Sequence, residues 1–86
     1  MKMIVVIVKD QDADTLTQAL TVGGFRVTRI ASTGGFLRSG VATLLVGVDD
    51  SQVEQAIGVM RAKLGASTQE PRATLFVVPV ERFEQV

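Results

Sequence analysis

The chain contains no cysteine and no histidine. Without cysteine there is no disulfide, no thiol nucleophile and no iron–sulfur or Cys-type zinc site. Without histidine the commonest metal ligand and the commonest general base are missing, and so are the Ser-His-Asp and Cys-His arrangements of nucleophilic catalysis. Net charge of either sign is lacking too: nine basic and nine acidic residues cancel. No global field therefore draws the chain to nucleic acid or to an anionic membrane, and neither is expected as a partner. No apolar run approaches the roughly 18–20 residues of a membrane span. The apolar start is broken by Lys9, Asp10 and Asp12 before it reaches the length of a secretory leader, and no small-residue cleavage site follows. A cytoplasmic location is the expectation.

What remains is an 86-residue chain with 47% hydrophobic and 21% charged residues, an ordinary globular composition that excludes disorder. It is read as a single domain, 1–86, burying about 60–65% of its unfolded surface. Four runs rich in β-branched residues, 3–8, 25–31, 41–48 and 73–80, have strand length and end near Gly, Asp or Pro. Between the first two, Leu16, Ala19 and Leu20 make a helical stripe; Asp12 stands as its N-cap and Gly23-Gly24 as its positive-φ stop. Between the last two, Val53, Ala56, Ile57, Met60 and Leu64 make a stronger stripe, opened by a Ser51/Glu54 capping box and closed by Gly65. The order is β-α-β-β-α-β. It predicts an α+β, ferredoxin-like fold: a four-stranded antiparallel sheet with two helices on one face.

The strands are apolar on both faces. Met3, Val5 and Ile7 oppose Ile4, Val6 and Val8; Leu45 and Gly47 oppose Leu44, Val46 and Val48. Two helices cover one face, and an open apolar face marks an interface. Self-association through that face is expected. A charge placed on it should break the assembly, at Leu45 if Val6 turns out to face the helices.

Charge is unevenly spread. Residues 15–48 contain no acid but hold Arg26, Arg29 and Arg38, whereas Asp10, Asp12, Asp14, Asp49, Asp50 and Glu54 gather outside. Within this stretch lies A-S-T-G-G-F-L-R-S-G, residues 31–40, too long for a tight hairpin. Gly34-Gly35 permits a nest of converging N–H groups that takes an anion. Arg26 and Arg38 add forked bonds to phosphate, Thr28, Ser32, Thr33 and Ser39 add hydroxyls, and Phe36 with Leu37 offers an apolar surface for a purine. The blander reading is a plain turn, with Phe36 and Leu37 tucked under the sheet or into a neighbouring subunit. Residues 33–40 are expected to be mobile without ligand. Arg29 alternates in direction with Arg26 and Thr28 and is expected outside the site. Asp10, Asp12 and Asp14 read as partners of a helix N-terminus rather than metal ligands. Phe83 reads as a packing anchor within the exposed run of Glu81, Arg82 and Glu84.

Met1-Lys2-Met3-Ile4, Asp10-Gln11-Asp12, Phe25-Arg26, the string T-G-G-F-L-R-S-G from Thr33 to Gly40, and the ending L-F-V-V-P-V with Phe83 and Gln85 together resemble the PII-like cyclic di-AMP receptors of the nitrogen regulatory PII-like superfamily. The resemblance implies a homotrimer whose sheets line the centre and which binds cyclic di-AMP between adjacent subunits. It also implies a signalling role toward a protein effector that the sequence does not identify. Its ligand contacts carry onto Arg26, Thr28, Thr33, Gly34, Gly35, Phe36, Leu37, Arg38 and Gly47, with bases near Phe36 and Leu37 and polar contacts near Arg26, Thr28 and Arg38. The chain departs from the family at Gly24 and Val41, where receptors usually carry Asn, and in a short connection at 65–72, G-A-S-T-Q-E-P-R. Weaker binding than in full-loop receptors is the consequence. The alternative is a structural or interaction trimer that takes an ATP- or ADP-type nucleotide, an amino acid or no ligand. An enzyme is not expected. Acylphosphatases of this fold need a cationic Gly-rich loop after the first strand, and here that place reads Lys9-Asp10-Gln11-Asp12. An RNA-binding module would need aromatics on the first and third strands, which are aliphatic. No resident cofactor or metal is expected.

Overall fold

The computed structural model describes residues 1–30, 40–65 and 71–86. The elements run β1 (Lys2–Lys9), α1 (Asp10–Val22), β2 (Arg26–Ile30), β3 (Val41–Val48), α2 (Val53–Leu64) and β4 (Ala73–Pro79), with a 3-10 turn, Asp50–Gln52, leading into α2. The strands form one sheet of order β2-β3-β1-β4, every pairing antiparallel. This is the ferredoxin-like arrangement anticipated from the sequence.

Strand alternation decides which residues meet the helices. Ile4, Val6 and Val8 of β1 and Leu44, Val46 and Val48 of β3 are buried against Ala13, Leu16 and Leu20 of α1 and Ala56 and Met60 of α2. Burying each larger side chain here contributes about 1.5–3 kcal/mol. Val6 is fully inside this core, so Leu45, half-buried on the other side, is the position that reports on the open face. The register places Thr28, Leu45, Val5 and Phe76 in one row across that face, flanked by the rows Arg26–Gly47–Met3–Val78 and Ile30–Thr43–Ile7–Thr74. Phe76 is 52% exposed and Ile30 44%. The open face of the chain is thus largely apolar.

Several local signals read differently in three dimensions. α1 begins at Asp10, and its N-cap position is Lys9, which makes no side-chain cap. Asp12 is not the cap; it sits inside the first turn and is buried. Its carboxylate accepts a 2.7 Å bond from Arg72, a tertiary contact that outweighs its local preference for capping. The capping box before α2 is Asp49 with Gln52, not Ser51 with Glu54. Asp49 has the extended backbone a cap requires, and the 3-10 turn sets the box back from the start of α2. Of the two glycines after α1 only Gly24 takes a positive φ, +90°; Gly23 keeps an ordinary φ of −74°. Gly65, at φ +75°, ends α2 as expected. β2 starts at Arg26 because Phe25 turns inward as a buried anchor.

Candidate functional site

At one end of the open face lies a cleft of about 480 Å³. Its floor is strand: Arg26 and Thr28 from β2, Leu45 and Gly47 from β3, Met3 from β1. One wall is the C-terminal tail, which contributes Val80, Phe83 and Gln85, and the rim carries Met1 and Gln52. Antiparallel register makes the floor, because it sets Arg26 directly opposite Gly47 and Gly47 opposite Met3. Gly47 has no side chain to fill the space above it; a Cβ there would stand 3.2 Å from Met1 Cε. The tail is pinned beside the N-terminus by the Val80 N–H, which donates to the Met1 carbonyl at 3.1 Å. Met1 is held in turn by its ammonium group, 3.0 Å from Asp50. That hydrogen bond, with help from the charge of Lys2, holds the Asp50 carboxyl below its usual range.

The cleft lining contains one cationic side chain, Arg26, no carboxylate side chain, and amide or hydroxyl groups from Thr28, Gln52 and Gln85. Among the described residues Arg29, Arg72 and Arg82 are each bonded to a carboxylate, whereas Arg26 forms no ion pair. A guanidinium above an apolar floor, with an exposed aromatic at the wall, suits a ligand that joins a flat ring to an anion.

Three of the residues singled out in the sequence, Arg26, Thr28 and Gly47, come together here. Thr33, Gly34, Gly35, Phe36, Leu37 and Arg38, together with the expected mobility of 33–40 other than at Gly40, lie outside the described residues. The flanks of that segment are described. Ile30 and Val41 stand at the other end of the sheet from Arg26, about 13 Å away along β2 at about 3.3 Å per residue. The lining residues that sequence reasoning missed are Met1, Met3, Phe25, Leu45, Gln52, Val80, Phe83 and Gln85. Phe83 is 62% exposed at the cleft, not a packing anchor. Phe83 and Gln85 already carried part of the family resemblance, and that was the one available signal for them. Arg29 points to the helix face and bonds Asp14 and Asp10, as alternation along β2 requires.

A family model described as cyclic-di-AMP receptor matches residues 1–70. The chain belongs to the cyclic-di-AMP receptor family. The match takes in β1, α1, β2, β3 and α2 and the whole T-G-G-F-L-R string. It stops short of β4 and the tail, so the tail wall of the cleft lies beyond the part that defines the family here. A crystal structure of a functionally unknown protein from Pediococcus pentosaceus ATCC 25745 is similar over 99% of this chain and 96% of that one, with 28% identity and a TM-score of 0.78. The ferredoxin-like fold therefore extends through β4 in a solved relative. No helix among the described residues is long and apolar enough to cross a membrane.

Proposed function

We propose that the chain is a cytoplasmic PII-like signalling protein that binds cyclic di-AMP and passes the bound state to a protein effector. The observation that carries the reading is the cleft: Arg26, Thr28 and Gly47 share one acid-free floor in a chain of the cyclic-di-AMP receptor family. In this reading Arg26 and Thr28 donate to a ligand phosphate. Gly47 leaves room for the ligand, and Phe83 lies against a base. Gly34-Gly35, Thr33 and Arg38 hold the second polar part of the ligand, and Phe36 with Leu37 takes an adenine. Two adenines and two phosphates give the ligand enough recognisable groups to engage both sets of residues along β2.

The residues 1–86 act as one PII-like domain, and three copies assemble through the open faces of their sheets. The apolar row of Leu45, Val5 and Phe76 supports this, since a monomer would leave it in water. Clefts between adjacent subunits then complete the site. The chain works by binding rather than by catalysis, and needs no resident metal or cofactor.

Calorimetry with cyclic di-AMP on wild type and Arg26→Ala tests the reading. Losing one charge-assisted bond of about 1.5–3 kcal/mol weakens affinity roughly 10- to 150-fold. Absence of heat with cyclic di-AMP, against a clear signal with ATP, ADP or an amino acid, would shift the function to the alternative ligand. Absence of heat with all of them would leave a structural trimer.

A further inference from the structure

The rim of the cleft carries a carboxamide whose orientation the fold fixes. Gln52 lines the cleft, half-buried, and closes the 3-10 turn Asp50–Gln52. Its Oε1 accepts the Asp49 backbone N–H at 3.2 Å. Its own backbone N–H donates to the Asp49 carbonyl at 2.8 Å, and to the Asp49 side chain in the capping box. Only the oxygen of a carboxamide can meet an N–H, so the cap decides which way the group faces. It uses one lone pair of Oε1 and neither hydrogen of Nε2.

The surroundings of that amino group suit a ligand acceptor. No carboxylate side chain lines the cleft. Asp50, in the same turn, is held by the Met1 ammonium group at 3.0 Å, and the Met1 carbonyl accepts the Val80 N–H at 3.1 Å. The turn is thereby stitched to the tail, the wall that carries the exposed Phe83. Phe83 offers a face to a base, and Gln52 offers donors to its edge. Adenine presents ring nitrogens that accept such donors. A side chain already held by its cap has little rotamer freedom left to lose on binding.

We propose that Gln52 reads the base of the ligand, its amino group donating to a ring nitrogen of one adenine while its oxygen keeps the cap of α2. This role rests on the cyclic di-AMP reading of the cleft and adds a ligand-contacting residue to it.

Calorimetry with cyclic di-AMP on wild type, Gln52→Met and Gln52→Glu tests it, with thermal unfolding of each and NMR of the wild-type side-chain amides beside it. Gln52→Met, of similar length but without donors, is expected to bind about three- to tenfold more weakly. Gln52→Glu keeps an oxygen for the cap, so its melting temperature should barely change. It should still bind at least about tenfold more weakly, because a carboxylate replaces the donors. In wild type the Gln52 amino resonances, identified by their loss in Gln52→Glu, should shift on adding cyclic di-AMP, while those of Gln55, exposed on α2 outside the cleft lining, should not. That measurement needs no variant and decides the matter if Gln52→Met folds poorly. With cyclic di-AMP analogues built on deaza-adenines, each lacking one ring nitrogen, Gln52→Met and wild type should bind equally to the analogue that lacks the contacted atom. Unaltered affinity in Gln52→Met, or amino resonances that ignore the ligand, overturns the role of Gln52 and leaves the ligand reading standing. A Gln52→Met loss that persists with every analogue overturns the contact with the base. Absence of binding by wild type overturns the ligand reading itself, and the role of Gln52 with it.

Discussion

Removal of the Arg72 side chain should cost more stability than removal of any other arginine among the described residues. Arg72 Nη2 donates to Asp12 Oδ1 at 2.7 Å and its Nη1 to the Leu64 carbonyl at 2.6 Å. One guanidinium therefore joins the start of β4, the first turn of α1 and the end of α2. The Asp12 side chain is only 12% exposed and Arg72 46%, so the pair falls between two regimes. Breaking a fully buried pair costs about 3–5 kcal/mol, and an exposed pair contributes about 0–1 kcal/mol. Arg72→Ala leaves a carboxylate mostly out of water and an end carbonyl of α2 without its donor. A loss of about 1.5–3 kcal/mol follows, or roughly 6–20 °C in melting temperature for a domain of this size. The assay is urea unfolding of wild type, Arg72→Ala, Asp12→Ala and the double variant at one fixed protein concentration, since association shifts apparent stability. The double variant should be little worse than Arg72→Ala alone, because it also removes the orphaned charge. A coupling below about 0.5 kcal/mol, the level of additive sites, would refute the view that this pair holds the three elements together.

Three further outcomes follow from the same geometry. Leu45→Asp, on the open face, should give a monomer by light scattering while far-UV circular dichroism stays native; a wild type that is itself monomeric at micromolar concentration would contradict the trimer. Gly47→Val should keep or raise the melting temperature, because a β-branched residue suits a strand and Met1 Cε can yield, yet lower cyclic di-AMP affinity at least tenfold; unchanged affinity would remove Gly47 from the site. Asp50 should titrate below the ordinary aspartate range by NMR, and N-terminal acetylation should return it to that range. Its depressed value means that its contribution to stability is present above the unfolded carboxylate range and is lost as pH falls through the folded value. An Asp50 midpoint indifferent to acetylation would show that the ammonium group is not its partner.

The fold was legible because its signals agree with one another. Apolar β-branched runs mark all four strands, Leu16 and Leu20 share one stripe, and Ala56 and Met60 share another; residues of these runs and stripes form the core. Boundaries were read less well wherever a distant residue intervened. Asp12 has the chemistry of a cap, but Arg72, sixty positions away, recruits it into the interior, and no local pattern announces that. Arg29 was separable from Arg26 by alternation alone, and its two carboxylate partners bear that out. The cleft was half legible. Strand composition and the acid-free stretch pointed to Arg26 and Thr28, and the family resemblance added Gly47. The tail residues Phe83 and Gln85 and the N-terminal Met1 reach the cleft only because antiparallel pairing brings the ends of β1 and β4 together, a consequence of topology rather than of any motif.

The central claim is that the cleft over Arg26, Thr28 and Gly47 belongs to a cyclic di-AMP site. The most direct measurement is a crystal structure of the protein grown with cyclic di-AMP. The account predicts a ligand phosphate within hydrogen-bond distance of Arg26 and Thr28 and ligand atoms packed over Gly47. Cyclic di-AMP bound with its phosphates away from Arg26, or crystals that exclude it while retaining an open cleft, would contradict it.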